Sequence, residues 1–300
     1  MTNTDLLSRA DQLRTGRTPF VLATVVRAER PTSAKPGDRA LVLPDGTLEG
    51  FVGGSCAEST VRLQSMRLLA TGESTLLRIT PDGSAESKSD GEGTVTVANP
   101  CLSGGTLDIF LEAMLPPVLV HVYGDAPIAR ALLALGHSLG YEVHAASPTD
   151  LLPADLGAVV VASHGRAAEQ EVLGAAIRAG VPYVGLVAST RRGAAVLAAL
   201  DLSDEQRAMV HTPAGLDIGG RTAAEIALSI YAELIAVRPR SDRPPVRGEP
   251  VAAEALDPVC GMTVAITTSA MSAEVAGRTV YFCGPGCQHA FLDQPTNYPG

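Results

Sequence analysis

Five cysteines carry most of the chemistry this chain could do, and their placement splits them into two sets. Cys56 and Cys101 lie in glycine-rich turns of the first third, whereas Cys260, Cys283 and Cys287 crowd the C-terminal end. In Phe51-Val-Gly-Gly-Ser-Cys56-Ala-Glu58, Gly53 and Gly54 precede the thiol at the expected start of a helix. There the helix dipole and unpaired amides favour a thiolate and attract anions. In Asn99-Pro-Cys101-Leu-Ser-Gly104-Gly105, the two glycines let backbone approach a ligand closely. From spacing alone these thiols read either as nucleophiles, metal ligands or sulfur contacts, or as inert cysteines in tight turns. The C-terminal set, spaced Cys-x22-Cys-x3-Cys, suits a soft cation, Zn²⁺ or Cu⁺, because a turn brings an x3 pair onto one ion. Such a metal can serve folding alone, or be sensed or delivered; the thiols also read as buried hydrophobes.

A second group of candidates belongs to strand ends and helix starts. His164 follows the apolar run Ala158-Val-Val-Val-Ala162, at the carboxyl edge where parallel sheets bind ligands. Ser189 precedes Arg191 and Arg192 at a helix start, where a guanidinium can pair with phosphate. Asp217 is bracketed by glycines in Gly215-Leu-Asp-Ile-Gly-Gly220, as suitable for a turn as for a site. Gly124 opens the turn Tyr123-Gly-Asp-Ala-Pro-Ile-Ala129, the place of a dinucleotide fingerprint. That fingerprint is incomplete: Ala126 replaces its second glycine and Pro127 removes a backbone N–H. His121, His137, His144 and His211 lack partner spacing and read as structural, and His289 as a surface residue.

The elements that must position these residues fall into three stretches. Residues 1–115 read as short strands, with one helix over about 56–70 stopped by Gly72. Pro116-Pro117 breaks any element. Residues 118–237 alternate strand and helix, which predicts a doubly wound parallel sheet of Rossmann-like type, closed by a helix from the capping box Thr222-Ala-Ala-Glu225. Residues 238–256 are rich in Pro and Arg and read as an extended linker that holds the tail away from the body. Residues 257–300 form a small three-cysteine module, too small for a large core without a metal or partner surface. The fold class is therefore α/β, with a sheet-rich α+β N-terminal domain.

Composition narrows the function classes. With 46% hydrophobic and 18% charged residues the chain folds, and its longest apolar runs are strand-sized, too short to cross a bilayer. A net charge of −9 removes the electrostatic footprint of nucleic-acid binding, and 4% aromatics without Trp leave few stacking surfaces. The first residues carry no secretory pattern, which points to the cytoplasm and to thiols outside any disulfide framework.

Two resemblances rest on these motifs. Asp257-Pro-Val-Cys260-Gly-Met262, Cys283-Gly-Pro-Gly-Cys287 and the closing Phe291, Pro295 and Tyr298 resemble the YHS/TRASH-type metal-binding modules. Lys35-Pro-Gly-Asp-Arg39, Gly-Gly-Ser-Cys-Ala-Glu58, Cys101-Leu-Ser-Gly-Gly, Ser163-His-Gly165, Ser189-Thr-Arg-Arg192 and Pro213-Ala-Gly-Leu-Asp-Ile-Gly219 resemble the XdhC/CoxI family, closer to its CoxI-like branch. That resemblance implies a cytoplasmic accessory protein, not an enzyme, whose two main domains form a cleft for molybdenum cofactor with Cys56 and Cys101 facing it. The implied partners are an apo-molybdenum hydroxylase, a cysteine desulfurase and a second copy of the chain. Two other readings stay open: an NAD(P)-dependent oxidoreductase using Cys56 or His164, and a metal-responsive protein acting through its tail.

Overall fold

The computed structural model describes residues 2–81, 88–89, 93–98, 105–163, 168–237, 253–275 and 277–298. They divide into two compact units, Met1–Pro116 with Ser241–Gly300, and Pro117–Arg240. The break at Pro116 falls where two prolines end the last strand of the first sheet.

The first unit opens with α1 (Asn3–Thr15), which the sequence reading did not predict. Thr2 and Asp5 cap it reciprocally: the Asp5 amide donates to the Thr2 hydroxyl and the Thr2 amide to the Asp5 carboxylate. Its buried residues Leu6, Ala10 and Leu13 fall on one stripe, against Phe20 and Leu41. Next come β1 (Phe20–Glu29), β2 (Arg39–Val42), β3 (Leu48–Gly50), α2 (Ser55–Thr71), β4 (Thr75–Thr80), β5 (Lys88–Ser89), β6 (Thr94–Ala98) and β7 (Thr106–Met114). The strands form one sheet in the order β3-β2-β1-β7-β4-β6-β5. Strand alternation splits β1 between two layers: Phe20 and Leu22 meet α1, while Val21, Ala23 and Val25 join the core beneath α2. Helix α2 contributes Ala57, Val61 and Leu68 to that core, and Gly72 ends it at φ +76°, a left-handed cap that favours glycine.

The tail belongs to this same unit. It comprises β13 (Glu254–Leu256), β14 (Thr263–Ala265), β15 (Met271–Val275), β16 (Arg278–Phe282) and α8 (Pro285–Asp293), with β13 starting inside the stretch read as linker. Two antiparallel hairpins, β13–β14 and β15–β16, carry a small core in which the Phe291 ring meets Phe282 at a tilt and stacks with Tyr298. The tail is not held away from the body as the Pro/Arg tract suggested; β14 packs on α2. Arg67 of α2 pairs with Glu254 at 2.7 Å, and a side chain at Gly284 would meet the Ser55 hydroxyl at 2.5 Å. The physical reason lies in α2: Thr60, Leu63 and Gln64 are buried along with its sheet-facing residues, so the helix needs cover on two sides.

The second unit contains β8 (Leu119–Tyr123), α3 (Pro127–Ser138), β9 (Glu142–Ala146), β10 (Leu156–Val161), α4 (Glu169–Arg178), β11 (Tyr183–Leu186), α5 (Thr190–Ala198), α6 (Asp204–Ala208), β12 (Val210–His211) and α7 (Ala223–Val237). All strands run parallel in the order β12-β11-β10-β8-β9. Helices α3 and α7 bury Leu132, Ile230, Tyr231 and Leu234 on one face, and α4 buries Val172, Leu173 and Ile177 on the other. This is the doubly wound domain expected, with the Thr222–Glu225 box capping α7. Strand order reverses around β8, so its carboxyl end is the crevice where such sheets bind ligands. No helix among the described residues is long and apolar enough to cross a membrane.

Buried His121 on β8 gives a pH prediction. Its Nδ1 has no hydrogen-bond partner among the described residues. Burial depresses its pKa, and His144 adds to the effect while Asp150 opposes it. The folded state therefore keeps a neutral ring while the unfolded chain takes up a proton near the ordinary value of about 6.5. Stability contributed by this site is intact above that value and falls as pH drops towards the depressed pKa. Melting curves at pH 7.5 and 5.5 should show a loss at the lower pH that is smaller in His121→Leu; an equal loss in both proteins contradicts the assignment.

Candidate functional site

The predicted residues gather in three places. In the first unit, Gly53, Gly54, Cys56 and Glu58 surround the start of α2. Gly53 adopts φ +136°, which favours glycine, and Gly54 is the N-cap, a residue with no side chain of its own to cap the first turn. Burial pushes the half-buried Glu58 carboxyl up, with Arg62 opposing. Gly105 precedes β7 where any side chain would strike the Pro31 carbonyl at 2.4 Å, so its glycine serves backbone packing. Cys101 and Gly104 lie outside the described residues.

The second unit places its candidates around two cavities. One, of about 460 Å³, lies at the carboxyl ends of β8, β9 and β10 and is lined by Gly124, Ser163 and the carboxylates of Asp125, Asp150 and Glu169. Gly124 has φ +115°, and a Cβ there would stand 2.3 Å from the Ala162 carbonyl, so only glycine allows the β8 turn to lie against the end of β10. His164, on the same loop as Ser163, lies outside the described residues. The other cavity, of about 620 Å³, is lined by Ser189, Arg192, Gly215 and Asp217. Ser189 caps α5 by accepting from the Arg192 amide, Asp217 accepts from the Gly219 amide, and Arg191 is exposed on the first turn of α5.

Sequence reasoning missed Glu169, which is 5% exposed, lines the first cavity and pairs with Arg192 of the second. Its carboxylate accepts from the Ser163 hydroxyl at 2.7 Å and pairs with Arg192. The Arg192 charge is thereby engaged within the fold instead of facing a ligand alone. A parallel network was also missed: Glu233 accepts from the Tyr183 hydroxyl at 2.6 Å and the Gly215 amide at 2.8 Å, and pairs with His211 at 3.2 Å. It anchors the Pro213–Gly215 turn beside the second cavity. Burial, reinforced by the Glu233 contact, pushes the Tyr183 phenol well up, so it stays a donor.

The third place is the tail. Cys260 lies in the turn before β14, Cys283 immediately follows β16 and Cys287 sits in the first turn of α8. Sγ–Sγ separations are 3.6 Å for Cys260–Cys283 and for Cys283–Cys287, well beyond a disulfide bond of about 2.05 Å. Ligand atoms of Asp257, Cys260, Cys283 and Cys287 all lie within 4.8 Å of one another, a grouping able to hold a metal ion. Asp257, quoted in the motif but not assigned a role, has no exposed surface and accepts from the Cys283 amide at 2.7 Å and the Val259 amide at 2.9 Å. It thereby fixes both thiol-bearing turns. His289 is exposed on α8 and stands outside the group. Hydrogen bonding with Cys283 draws Cys260 below the ordinary thiol range and pushes Cys283 up, while burial pushes Cys287 up to about 12. A cation entering the cluster must therefore displace protons.

Comparison with known proteins follows the same divisions. Residues 13–80 match the model of the XdhC and CoxI family, residues 120–234 the XdhC Rossmann domain, and residues 255–300 the YHS domain. Two Escherichia coli (strain K12) relatives are each 25% identical: the "Uncharacterized protein YqeB", over 78% of this chain and 46% of its own length, and the "Molybdenum cofactor insertion chaperone PaoD", over 73% and 83%. The chain thus spans about half the length of the first and most of the second. A solved protein from Bacillus halodurans, described as a xanthine dehydrogenase, aligns over 81% of this chain and 98% of its own at 17% identity and a TM-score of 0.38. The chain thus carries, in order, an XdhC and CoxI family domain, an XdhC Rossmann domain and a C-terminal YHS domain.

Proposed function

We propose that this chain is a maturation factor that binds molybdenum cofactor and assists its insertion into an apo-molybdenum hydroxylase of the carbon monoxide dehydrogenase or xanthine dehydrogenase type. The observation that carries the reading is the similarity to the insertion chaperone PaoD, at 25% identity over 83% of that protein. The residues present suit such a cofactor. Its pterin edge offers N–H donors, which match the carboxylates of Asp125, Asp150 and Glu169 around the cavity beside Gly124. Its phosphate suits the second cavity, where Ser189 caps the start of α5 and Arg192, paired with Glu169, lines the wall with Gly215 and Asp217, while Arg191 is exposed on the same helical turn. In the first unit, Gly53, Gly54, Cys56 and Glu58 at the start of α2 belong to the same proposal as cofactor-binding residues. A cysteine desulfurase and a second copy of the chain belong to the same proposal as partners, and the cytoplasm as the location.

The dehydrogenase alternative fares worse on charge. A dinucleotide pyrophosphate at the β8–α3 turn meets Asp125 and Asp150 with no cation among the described lining residues, and Pro127 has no amide to offer. Millimolar NAD or NADP should therefore leave the melting temperature unchanged, whereas occupancy at 100 times Kd adds about 2.7 kcal/mol. The direct test is the content of the full chain purified from a host that makes the cofactor. Pterin and molybdenum recovered together with the protein support the proposal. Zinc or copper alone, with neither pterin nor molybdenum retained, moves the function to the tail; a nucleotide-induced rise in melting temperature revives the dehydrogenase.

A further inference from the structure

We infer that Cys56 of the XdhC and CoxI family domain is the fourth ligand of the metal site in the YHS domain, so that one cation clamps the tail onto the start of α2. The inference does not rest on the cofactor reading above, and it gives the Cys56 sulfur a ligand that competes with the cofactor contact proposed there.

Distance comes first. The Cys56 sulfur stands 3.9 Å from the Cys283 sulfur, although 227 positions separate them in sequence. Cys283 therefore has three sulfur neighbours, at 3.6, 3.6 and 3.9 Å. Around a tetrahedral ion with metal–sulfur bonds of about 2.3 Å, the sulfur–sulfur edge is about 3.8 Å. The four thiols also share one small apolar cluster, in which Cys56, Cys260 and Cys287 pack against buried Met262, Val264 and Cys283.

Cys56 is also held in place by more than its own rotamer. It occupies the first turn of α2, whose next residue, Ala57, is buried in the sheet core. The Cys283–Gly284 backbone lies so close to Ser55 that no side chain fits at Gly284. Further along α2, Arg67 pairs with Glu254, and Gly46 in the β2–β3 turn lies against Thr267, so the docking contact extends beyond the start of α2.

The competing fourth donor is Asp257, which belongs to the compact group of possible ligand atoms. Both of its oxygens already accept backbone amides, a role that orders the turns carrying Cys260 and Cys283. Three tail thiolates with a fourth from α2 form a donor set for a soft d¹⁰ ion, Zn²⁺ or Cu⁺. A small domain whose own core is thin would gain its folding energy and its attachment from the same ion. Coordination also commits the Cys56 sulfur, so a chain with this site filled holds that thiol apart from any other ligand.

The test uses the full chain, stripped of metal and kept reduced, titrated with Co²⁺ and then Zn²⁺. Wild type should bind one Co²⁺ with thiolate-to-cobalt absorbance of a four-sulfur site. Cys56→Ser should lose about a quarter of that absorbance per bound ion and weaken Zn²⁺ affinity by more than roughly 100-fold, beyond the loss of an outer-shell partner. Unchanged absorbance and affinity in Cys56→Ser, with the loss appearing in Asp257→Asn instead, would overturn the assignment. Should Cys56→Ser fail to fold, alkylation of the wild-type chain decides. Zn²⁺ should protect Cys56 together with Cys260, Cys283 and Cys287, as read by peptide mass spectrometry; protection of the tail thiols with Cys56 modified equally in both states refutes it.

Discussion

Asp257→Ala should destabilise the YHS domain by about 4 kcal/mol. The carboxylate has no exposed surface and accepts two backbone amides, those of Val259 and Cys283. Hydrogen bonds to a charged acceptor contribute about 1.5–3 kcal/mol each, and truncation leaves the buried Cys283 amide and the part-buried Val259 amide without this acceptor. The Asp257 backbone closes the same turn, donating to the Met262 carbonyl and accepting from the Gly261 amide, so the damage reaches the Cys260 loop directly. Asp257→Asn keeps one acceptor but turns an amide group towards one of the two donors, and about half the loss is expected. Urea unfolding with proteolytic mapping of the tail measures both. A tail that unfolds at the wild-type urea concentration in Asp257→Ala would show that these bonds do not hold it.

Glu169→Ala should cost the Rossmann domain about 3 kcal/mol. Removing one partner of a buried ion pair leaves the other uncompensated, typically at 3–5 kcal/mol. Here Arg192 keeps 31% of its side chain exposed, so solvent offsets part of that and the lower end applies. The Ser163 hydroxyl also loses its acceptor. Glu169→Gln retains an acceptor for Ser163 while discarding the charge, and should recover roughly a third of the loss. Thermal unfolding of the three proteins side by side is the measurement. Equal melting temperatures for Glu169→Ala and wild type would mean that the Ser163–Glu169–Arg192 network is not part of what holds the carboxyl edge of the sheet together.

The parts of the fold that were legible in the sequence are those governed by local pattern. The β–α alternation after Pro117, the stop at Gly72 and the Thr222–Glu225 box each depend on residues a few positions apart, and all appear where expected. Helix α1 was equally local, with a Thr2–Asp5 box and apolar residues at 6, 10 and 13, but its short, polar sequence was read only for export signals. What could not be read is the set of contacts between distant positions. Asp257 meets Cys283 across 26 positions, Arg192 meets Glu169 across 23, and Tyr183 meets Glu233 across 50. In each case one partner is an acidic residue that looks like solvated surface until the fold buries it. The docking of the tail is the extreme instance. A Pro/Arg-rich tract signals an extended chain, yet nothing in its composition says what lies at its end. The clue lay instead in α2, where Ser59, Thr60, Leu63, Gln64 and Ser65 are all buried. A helix buried on several sides has a weak amphipathic pattern, and that weakness marks a second covering layer.

Transfer of cofactor to a client tests the central claim most directly. The full chain, incubated with molybdenum cofactor released from a donor enzyme and freed of unbound cofactor by gel filtration, is mixed with an apo-molybdenum hydroxylase of the xanthine dehydrogenase type. The proposal predicts that pterin and molybdenum elute with the chain, and that the apoenzyme then gains both the metal and hydroxylase activity, while chain without cofactor gives neither. Cofactor that elutes apart from the chain, or an apoenzyme activated equally well by free cofactor in its absence, would contradict a role in cofactor insertion.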